Sequence, residues 1–295
     1  MDVSIIIVNY NTLSLTKECI DSILKNTSGI EFEIICIDNA STDGSKEFFE
    51  KDERIHYFYN VENLGFGRAN NVGLRYAKGR NVLFLNSDTL LINNSIYILS
   101  KSLDANIKWG AVGGNLFTKQ LHPIHSFKRL FPSILSELND FFSKMPSRIL
   151  FGRNEEFNFT NKPLQVKYIT GADLMIKRKV LEEVGIFDER FFMYCEETEL
   201  CYRIRKANYK IMSIPDAKII HLEGASFSED KRIKRIKMNR DSTRLYCLIH
   251  YNKFYANLVD LVWKATIYSR IVVYSLTKSP KKNFWTAIKK ECFKN

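Results

Sequence analysis

Val3–Val8 (VSIIIV), which runs directly into the polar segment Asn9–Thr12 (NYNT), decides the fold of this chain. A short run dominated by β-branched residues predicts a strand that is buried on both faces, as in a parallel sheet. Asn11 and Thr12 favour the start of a helix over about residues 13–26, because such side chains accept hydrogen bonds from the first N–H groups of a helix. The chain therefore opens with a strand, a polar turn and a helix.

The same succession continues along the chain. Further strands are predicted at Phe32–Ile37, Ile55–Tyr59 and Asn81–Leu85, with a helix at about residues 67–77. This alternation predicts an α/β fold with a doubly wound, mostly parallel sheet, in which ligands bind at the carboxyl ends of the strands. The later elements that the sequence predicts are an ordered segment at Val166–Lys177, a helix at about Glu197–Ala207, and strands near 210–213 and 217–221.

Composition narrows the class of protein. The 295 residues are 45% hydrophobic and 26% charged, which is typical of a globular protein and excludes a disordered or disulfide-stapled chain. The six cysteines form no CxxC pair, Met1 and Asp2 lead straight into a strand, and no uncharged apolar run reaches roughly 18–20 residues. We therefore expect a cytoplasmic protein with reduced thiols, without a zinc site, signal peptide or membrane span.

The basic charge is confined to the C-terminal part of the sequence. Residues 225–295 contain 16 Lys and Arg against 5 Asp and Glu, whereas residues 1–224 contain 28 of each kind, so the tail carries the whole net charge of +11. This asymmetry predicts two domains, a neutral body over residues 1–224 and a basic, amphipathic helical tail over residues 225–295. Within the body, residues 118–166 hold four of the six prolines and predict an irregular excursion that faces a substrate.

Two polar segments follow predicted strands. Asp38 could accept a hydrogen bond from the imide N–H of a uracil or thymine base, or it could cap the next helix. Asn86 and Asp88 lie two residues apart in an extended chain and so project to the same side. A carboxylate together with substrate phosphates is the usual way in which Mg²⁺ or Mn²⁺ is held, although a helix cap is the alternative here as well.

An acidic cluster, Glu196-Glu197-Thr198-Glu199, follows an aromatic run later in the chain. Crowded carboxylates at an apolar site raise one another's pKa and make a general base plausible. The alternative is an acidic first turn of a helix, on which Arg203 and Arg205 would pair with the carboxylates. His221 ends a predicted strand and is either a structural residue or a ligand.

The order of these segments along residues 3–222 resembles glycosyltransferase family 2, and within it the bacterial rhamnosyltransferase-like branch. The segments that carry the resemblance are NYNT (9–12), DNASTDGS (38–45), NLGFGRANN (63–71), LNSD (85–88), GAD (171–173), VGIFDERFF (184–192), EETEL (196–200) and His221. The resemblance implies a GT-A fold, a nucleotide-diphosphate sugar donor, a Mg²⁺ or Mn²⁺ ion and inversion of the anomeric centre. It favours dTDP-rhamnose as the donor, and a glycan or a polyprenyl-diphosphate-linked glycan as the acceptor, in the synthesis of a bacterial surface polysaccharide.

The resemblance also implies a role for individual residues. The metal ligands would be Asp88 and His221, and the general base would be Glu197, with Glu196 able to share that role. The donor sugar and acceptor would meet Gly171, Ala172, Asp173 and Glu199. The nucleotide would meet Val8, Asn9, Tyr10, Asn11, Asp38, Asn39, Gly65, Arg68, Asn70, Asn86 and Ser87.

The acidic cluster departs from the family's pattern, which is Glu-Asp-x-Asp-Leu at this place. Glu197 stands where the base is an aspartate, and its extra methylene extends the carboxylate by roughly 1.5 Å. A displacement of that size can cost on the order of a hundredfold in rate. The exchange therefore leaves open a catalytically impaired member of the family that binds sugar nucleotides.

The basic tail predicts a long amphipathic helix. Phe254–Val272 has a wide apolar face and a polar stripe at Lys253, Asn257, Asp260 and Lys264. Such a helix suits an anionic membrane surface, at the inner face of the cell membrane. The alternative is that it packs against the body or against a second subunit in a homodimer.

Two other classes of protein are disfavoured. The neutral body argues against a nucleic-acid-binding protein. A Rossmann dehydrogenase is disfavoured because no G-x-G-x-x-G follows the first strand.

Overall fold

The first third of the chain forms the alternating strands and helices that its sequence predicts. The computed structural model describes residues 1–222 and 229–293. The elements up to residue 104 are β1 (Val3–Asn9), α1 (Leu13–Asn26), β2 (Phe32–Asp38), α2 (Ser45–Phe49), β3 (His56–Tyr59), α3 (Phe66–Leu74), β4 (Asn81–Asn86), β5 (Thr89–Leu91) and α4 (Ser95–Asp104). The predicted helix over residues 13–26 is confirmed, and the predicted strands differ from the observed ones by one residue at most.

The middle of the chain is less regular. The elements are β6 (Trp109–Phe117), β7 (Phe127–Lys128), α5 (Ile134–Phe141), α6 (Met145–Phe151), β8 (Leu164–Val166), β9 (Tyr168–Ile169), β10 (Asp173–Lys177), α7 (Arg178–Val184), α8 (Glu196–Lys206) and β11 (Lys210–His221). The two strands predicted near 210–213 and 217–221 are one strand, whose pairing with β6 shifts register between Ser213 and Lys218. Pro215 lies within this shift and has no N–H to donate to a neighbouring strand.

The main sheet is mixed. Its strand order is β3-β2-β1-β4-β10-β6-β11-β5, with β8 paired to β11. The first four strands are parallel to one another, whereas β10 runs antiparallel to both β4 and β6. The start of β10 therefore lies at the same edge as the carboxyl ends of β1 and β4, which is where ligands bind in such sheets. The predicted α/β architecture is confirmed.

The apolar run that opens the chain is buried as expected. Ile5, Ile6 and Ile7 are fully buried in β1, and Cys19, Ile20 and Ile23 of α1 are buried as well. Two of the three isoleucines would lie on one face of the strand and the third on the other, so burial of all three requires cover on both faces of the sheet. The parallel strands thus form the core that positions the polar turns.

The chain divides into two compact units. The first contains Met1–Arg129, Arg153–Phe192 and the segment from Glu196 to the end of β11; the second contains Leu130–Gly152, Met193–Cys195 and the C-terminal helices. Those helices are α9 (Glu229–His250), α10 (Lys253–Leu276) and α11 (Lys281–Cys292). The predicted boundary between residues 224 and 225 lies outside the described residues and stays a prediction.

The second unit has its own apolar core. Ile233 of α9, Ile267 of α10 and Ile288 of α11 are buried in one cluster. Asp260 does not belong to a solvated polar stripe, as the sequence suggested, because its carboxylate is paired with Arg240 and Arg244. Within the described ranges, no helix has the length and apolar character that a bilayer-crossing segment requires.

Candidate functional site

The polar turn after β1 is held by the side chain of Asn9. Its amide donates to Asp38 Oδ2 (3.1 Å) and to Ser41 Oγ (3.0 Å), and its Oδ1 accepts from the hydroxyls of Thr12 (2.9 Å) and Thr16 (2.8 Å). Asn9 is fully buried, and these four hydrogen bonds give its buried polar atoms the partners that they need. The amide therefore fixes the turn rather than presenting itself to a ligand.

The neighbouring positions of this turn are more open. Val8 is half-buried, whereas Tyr10 and Asn11 are exposed. Asn11 has a positive φ of 53°, and its Oδ1 accepts from the backbone N–H of Thr42 at 2.8 Å. Of the four residues predicted to meet the nucleotide here, Tyr10 and Asn11 are thus the two that are exposed, Tyr10 at 48%.

Asp38 is surrounded by donors. Its carboxylate accepts from the backbone N–H of Ser41 (2.8 Å), the amide of Asn9 (3.1 Å) and the hydroxyl of Tyr57 (3.0 Å), and the residue is fully buried. The alternative of a helix cap is wrong, since Gly44 precedes the next helix, α2. The predicted contact of Asp38 with a base stays a prediction.

Sequence reasoning missed Tyr57 as a partner of Asp38. Burial, together with the nearby carboxylate of Asp38, raises the pKa of the Tyr57 phenol, which keeps it protonated and able to donate. The two residues lie on neighbouring parallel strands, β2 and β3. A tyrosine in a strand carries no signal of this contact until the strand order is known.

The loop before α3 is fixed by close backbone contact. Gly65 has a φ of +79°, and a Cβ at this position would lie 2.2 Å from the carbonyl oxygen of Phe192, which accepts a hydrogen bond from Phe66 N (2.9 Å). Asn39 holds the other side of the loop, because its Oδ1 accepts from the backbone N–H of Leu64 at 3.1 Å. A glycine is required here both by its backbone conformation and by the lack of space.

Two predicted nucleotide contacts in α3 have different surroundings. Asn70 is 1% exposed and donates to the carbonyl of Phe66 at 3.0 Å, so its amide is engaged within the helix. Arg68 is exposed, and its Nε lies 3.9 Å from Glu189 Oε2. Arg68 therefore remains available to an anionic ligand, whereas Asn70 would first have to release its helical partner.

Three side chains converge where β4 ends. His221 Nε2 lies 3.2 Å from Asp88 Oδ1 and 3.3 Å from the amide nitrogen of Asn86. This convergence follows from the pairing of β5 with β11, which places His221 opposite Thr89, the residue after Asp88. The helix-cap alternative for this segment is wrong, because a turn and then β5 follow it. Ser87 connects the segment to the first turn through a 3.2 Å contact between its hydroxyl and that of Thr12.

The donor set fits a divalent cation that phosphate oxygens complete. Asp88 supplies a hard carboxylate oxygen, His221 supplies an imidazole nitrogen, and both side chains are partly buried. The described residues contain no cluster of three or more His, Cys, Asp or Glu side chains suited to a metal. Mg²⁺ and Mn²⁺ are commonly bound through one or two carboxylates with substrate phosphates and water, so a two-residue protein set fits this kind of ion.

The acidic cluster forms the first turn of α8. Glu199 is 2% exposed and accepts from Arg203 Nε at 2.9 Å and Arg203 Nη2 at 2.7 Å, and the same guanidinium donates to the carbonyl of Ile186 (2.7 Å). The predicted pairing with Arg203 is therefore present. Because this ion pair occupies its carboxylate, Glu199 is engaged in holding α8 rather than open towards a sugar.

Glu196 and Glu197 form a pair with raised pKa values. Burial raises the pKa of Glu196 strongly, the neighbouring charge of Glu197 raises it further, and its Oε2 has no hydrogen-bond partner among the described residues. Burial also raises the pKa of Glu197, whose Oε1 accepts from the hydroxyl of Thr198 at 3.3 Å. A carboxylate with a raised pKa is a stronger base than an ordinary one, which suits it to general-base catalysis.

The segment before β10 bridges the acidic pair and the Asp88 region. A Cβ on Gly171 would lie 3.8 Å from Glu197 Cγ, and the carbonyl of the next residue, Ala172, accepts from Asn86 N at 3.0 Å. Gly171 and Ala172 are consecutive in the chain, so the side chain of Glu197 and the backbone of Asn86 adjoin neighbouring residues. Asp173, in contrast, is fully buried, and its Oδ2 accepts a hydrogen bond from the backbone N–H of Gly114 (2.5 Å). Burial raises the pKa of Asp173 well above the ordinary value.

The chain is similar to known proteins of one family. The sequence profile of the family described as Glycosyl transferase family 2 matches residues 4–185. The low-salt glycan biosynthesis hexosyltransferase Agl10 of Haloferax volcanii is 31% identical over 232 residues, which are 75% of this chain and 67% of that protein. The N-acetylglucosaminyl-diphospho-decaprenol L-rhamnosyltransferase of Mycobacterium tuberculosis is 25% identical over 213 residues, 67% of this chain and 68% of that protein.

A solved structure extends the likeness to the fold. The mannosyltransferase PcManGT of Pyrobaculum calidifontis, in complex with GDP-Man and Mn²⁺, superposes with a TM-score of 0.57 at 17% identity, covering 99% of this chain and 84% of that one. The mixed sheet and the C-terminal helices are thus those of a GT-A-like protein. The chain belongs to glycosyltransferase family 2 and transfers a sugar from a nucleotide-sugar donor.

Proposed function

We propose that the chain is a metal-dependent, inverting glycosyltransferase, with dTDP-rhamnose as the favoured donor and a glycan or polyprenyl-diphosphate-linked glycan as the acceptor. The observation that carries this proposal is the bridge formed by Gly171 and Ala172, which brings the Glu197 side chain within two residues of the Asn86–Asp88 segment. A base and a diphosphate-binding group at that separation could act on the two ends of one displacement.

The donor diphosphate would lie at the carboxyl end of β4. Asp88 and His221 would hold the cation, and the amide of Asn86 adjoins this pair at 3.3 Å from His221 Nε2. A bound Mg²⁺ or Mn²⁺ supplies Lewis-acid compensation of the negative charge that builds on the leaving nucleoside diphosphate. Arg68 is exposed and is in reach of further negative charge on the nucleotide.

The acceptor hydroxyl would meet Glu197. Inversion in one displacement requires a base on the attacking hydroxyl, on the face of the sugar opposite to the leaving group. Glu197 would take that proton, and burial would keep its pKa above the ordinary value, as burial also does for the neighbouring Glu196. Thr198 holds Glu197 Oε1 and so limits the rotamers that the base can adopt.

The named relatives support the proposed substrates. The mycobacterial relative is by its name an L-rhamnosyltransferase that acts on an N-acetylglucosaminyl-diphospho-decaprenol, and the archaeal relative is a hexosyltransferase of glycan biosynthesis. A rhamnose donor and a lipid-linked acceptor are consistent with both names. The buried carboxylate of Asp38, next to the exposed Tyr10, is consistent with a pyrimidine nucleotide at the end of β2.

The experiment is a thermal-shift screen of the full chain with dTDP-rhamnose, UDP- and GDP-sugars, each with and without Mn²⁺, followed by NMR of the product's anomeric centre. Ligands that bind the folded state raise the melting temperature, so we expect the largest shift with dTDP-rhamnose and Mn²⁺ together. A product that retains the donor's anomeric configuration would overturn the inverting mechanism. Binding of a sugar nucleotide without hydrolysis or transfer to any acceptor would identify the catalytically impaired alternative.

A further inference from the structure

Helix α10 is apolar on two opposite faces. Val259, Trp263 and Ile267, spaced by four residues, belong to the face that packs inside the second unit, where Val259 and Ile267 are buried. Phe254, Leu261 and Tyr268 are spaced by seven residues, or about two turns, and lie on the other side of the helix. A helix that remains apolar outside its covered face requires a further explanation.

The uncovered face is long and continuous. Its exposed side chains, which we call the α10 stripe, are Phe254 (72%), Leu261 (63%), Tyr268 (47%), Val272 (55%) and Leu276 (80%). Of these, Tyr268 is partly covered, by the ring of Phe293 and the ammonium of Lys289. From its first to its last residue the stripe runs about 33 Å along the helix, at 1.5 Å per residue. Apolar side chains this regularly placed on one line are typical of a surface that binds a partner.

The surroundings of the α10 stripe are positively charged. Lys253 and Lys264 lie on one flank of α10 and are exposed, and Lys278 follows its C-terminal end. Exposed lysines and arginines also occupy α9 and α11, and residues 225–295 contain 16 Lys and Arg against 5 Asp and Glu. An apolar stripe with basic residues beside it matches the chemistry of an anionic lipid surface.

Charge also favours an anionic lipid surface over a second copy of the chain as the partner of the α10 stripe. Two copies that met through the α10 stripe would bring two strongly basic helical units together, and like charges at close range oppose such a contact. An anionic bilayer takes up the same apolar side chains and attracts the lysines. We propose that the α10 stripe lies in the interface of an anionic membrane, with α10 parallel to its plane.

The biological role of this membrane contact rests on the proposed function, but the experiment that tests the contact does not. A lipid-linked acceptor is confined to a membrane surface, so an enzyme that lies on that surface meets its acceptor in two dimensions rather than three. Vesicle binding and donor hydrolysis in vesicle-free solution are separate measurements. Vesicle binding without donor hydrolysis would contradict only the proposed function. Donor hydrolysis without vesicle binding would contradict only the proposed membrane contact.

The experiment is co-sedimentation of the full chain with phosphatidylglycerol–phosphatidylcholine vesicles and with phosphatidylcholine vesicles. The test variant is Leu261→Gln with Val272→Gln, and the matched control is Val61→Gln, which changes an apolar side chain that is 90% exposed in the first unit. We expect the test variant to bind anionic vesicles at least about tenfold more weakly, because burial of two aliphatic side chains is lost. The control should bind like the unchanged chain, and high salt should weaken binding of all three proteins.

Three outcomes would overturn the inference. The first is equal vesicle binding by the test variant and the control, and the second is equal binding to both kinds of vesicle. The third is a fall in mass from dimer to monomer, measured by light scattering, in the test variant with its vesicle binding unchanged, which would identify the α10 stripe as a subunit interface. Melting temperatures of all three proteins exclude misfolding as a cause, since the changed residues are exposed.

Discussion

The imidazole Nε2 of His221 lies 3.2 Å from the carboxylate Oδ1 of Asp88. This contact joins the end of β11 to the turn after β4, and the antiparallel pairing of β5 with β11 fixes it from both sides. Leu222 N donates to the carbonyl of Asp88 at 2.8 Å, so the backbone as well as the side chains holds the two segments together. The backbone and the side chains therefore fix the position of Asp88 relative to His221.

Asp88→Asn should abolish the metal dependence of donor binding. The amide is nearly the same size but lacks the charge, so Mn²⁺ should no longer add to the thermal shift produced by the sugar nucleotide. Transfer should fall at least about a hundredfold, because charge compensation by a metal is worth several kcal/mol and about 1.4 kcal/mol changes a rate tenfold. The control is Asp216→Asn, an exposed carboxylate on the same strand as His221. Unchanged Mn²⁺ dependence in Asp88→Asn would place the metal elsewhere.

Glu197→Gln should separate chemistry from binding. An amide cannot accept the acceptor's proton, so kcat should fall by roughly 10²–10⁴-fold while the donor binds with the same Kd. The raised pKa of Glu197 also predicts that transfer in the unchanged chain is lost as the pH falls through a value above 4.5. The measurements are a pH–rate profile and isothermal titration with the nucleotide sugar.

Glu197→Asp is the matched variant for the length of the base. It restores the residue type that the family has at this place and withdraws the carboxylate by roughly 1.5 Å. If Gly171 and α8 are arranged for a glutamate, the rate should fall on the order of a hundredfold, as for other small displacements of a catalytic group. A faster rate than that of the unchanged chain would mean that the backbone does not compensate for the extra methylene, and an equal rate would mean that the site accepts a base of either length.

The sequence predicted the strands better than the contacts between them. The run at Ile5–Ile7 and the polar turns sufficed for the parallel half of the sheet, because burial on both faces leaves a strong pattern. The meeting of Asn86 with His221 could not be derived this way, since 135 residues separate them and β10 and β6 intervene in the strand order. Only the family resemblance linked Asp88 with His221 before the strand order was known.

Of two ion pairs made by the later helices, only one has a signal in the local sequence. The burial of Glu199 against Arg203 follows the four-residue spacing of a helix and was foreseeable. The pairing of Asp260 with Arg240 and Arg244 was not, because it requires α9 and α10 to pack side by side. Spacing on one helix predicts which residues share a face, but it does not predict what covers that face.

Gly65→Ala should destabilise the first unit more than a substitution at another left-handed glycine. Gly65 combines a φ of +79° with a ψ of 176°, a conformation that is essentially restricted to glycine and costs another residue about 1–3 kcal/mol, and the new Cβ would also lie 2.2 Å from the carbonyl oxygen of Phe192. Gly44→Ala is the control, because Gly44 has a φ of +86° but its nearest neighbour would be Leu13 Cδ2 at 3.9 Å. Denaturant unfolding should show a larger loss for Gly65→Ala. Equal losses would mean that Phe192 can move away without cost.

Glu196→Gln should make the chain more stable at neutral pH. The folded chain holds a proton on Glu196 more tightly than the unfolded chain does, since burial and Glu197 raise its pKa above 4.5. Stability is therefore fully present below that value and is lost as the pH rises through the raised pKa, when a buried charge must form. Glutamine cannot ionise, so the variant should lack this loss, and its melting temperature should gain a few degrees at neutral pH and little at pH 4.

Glu199→Gln, on the same helix, should make the chain less stable at neutral pH. Glu199 is buried but paired, and removal of its charge leaves the guanidinium of Arg203 without its ionic partner, which should lower the melting temperature at neutral pH. The comparison needs thermal unfolding of both variants between pH 4 and pH 8. If Glu196→Gln is destabilised at neutral pH as Glu199→Gln is, then the Glu196 carboxylate is held ionised by a partner, and its raised pKa is wrong.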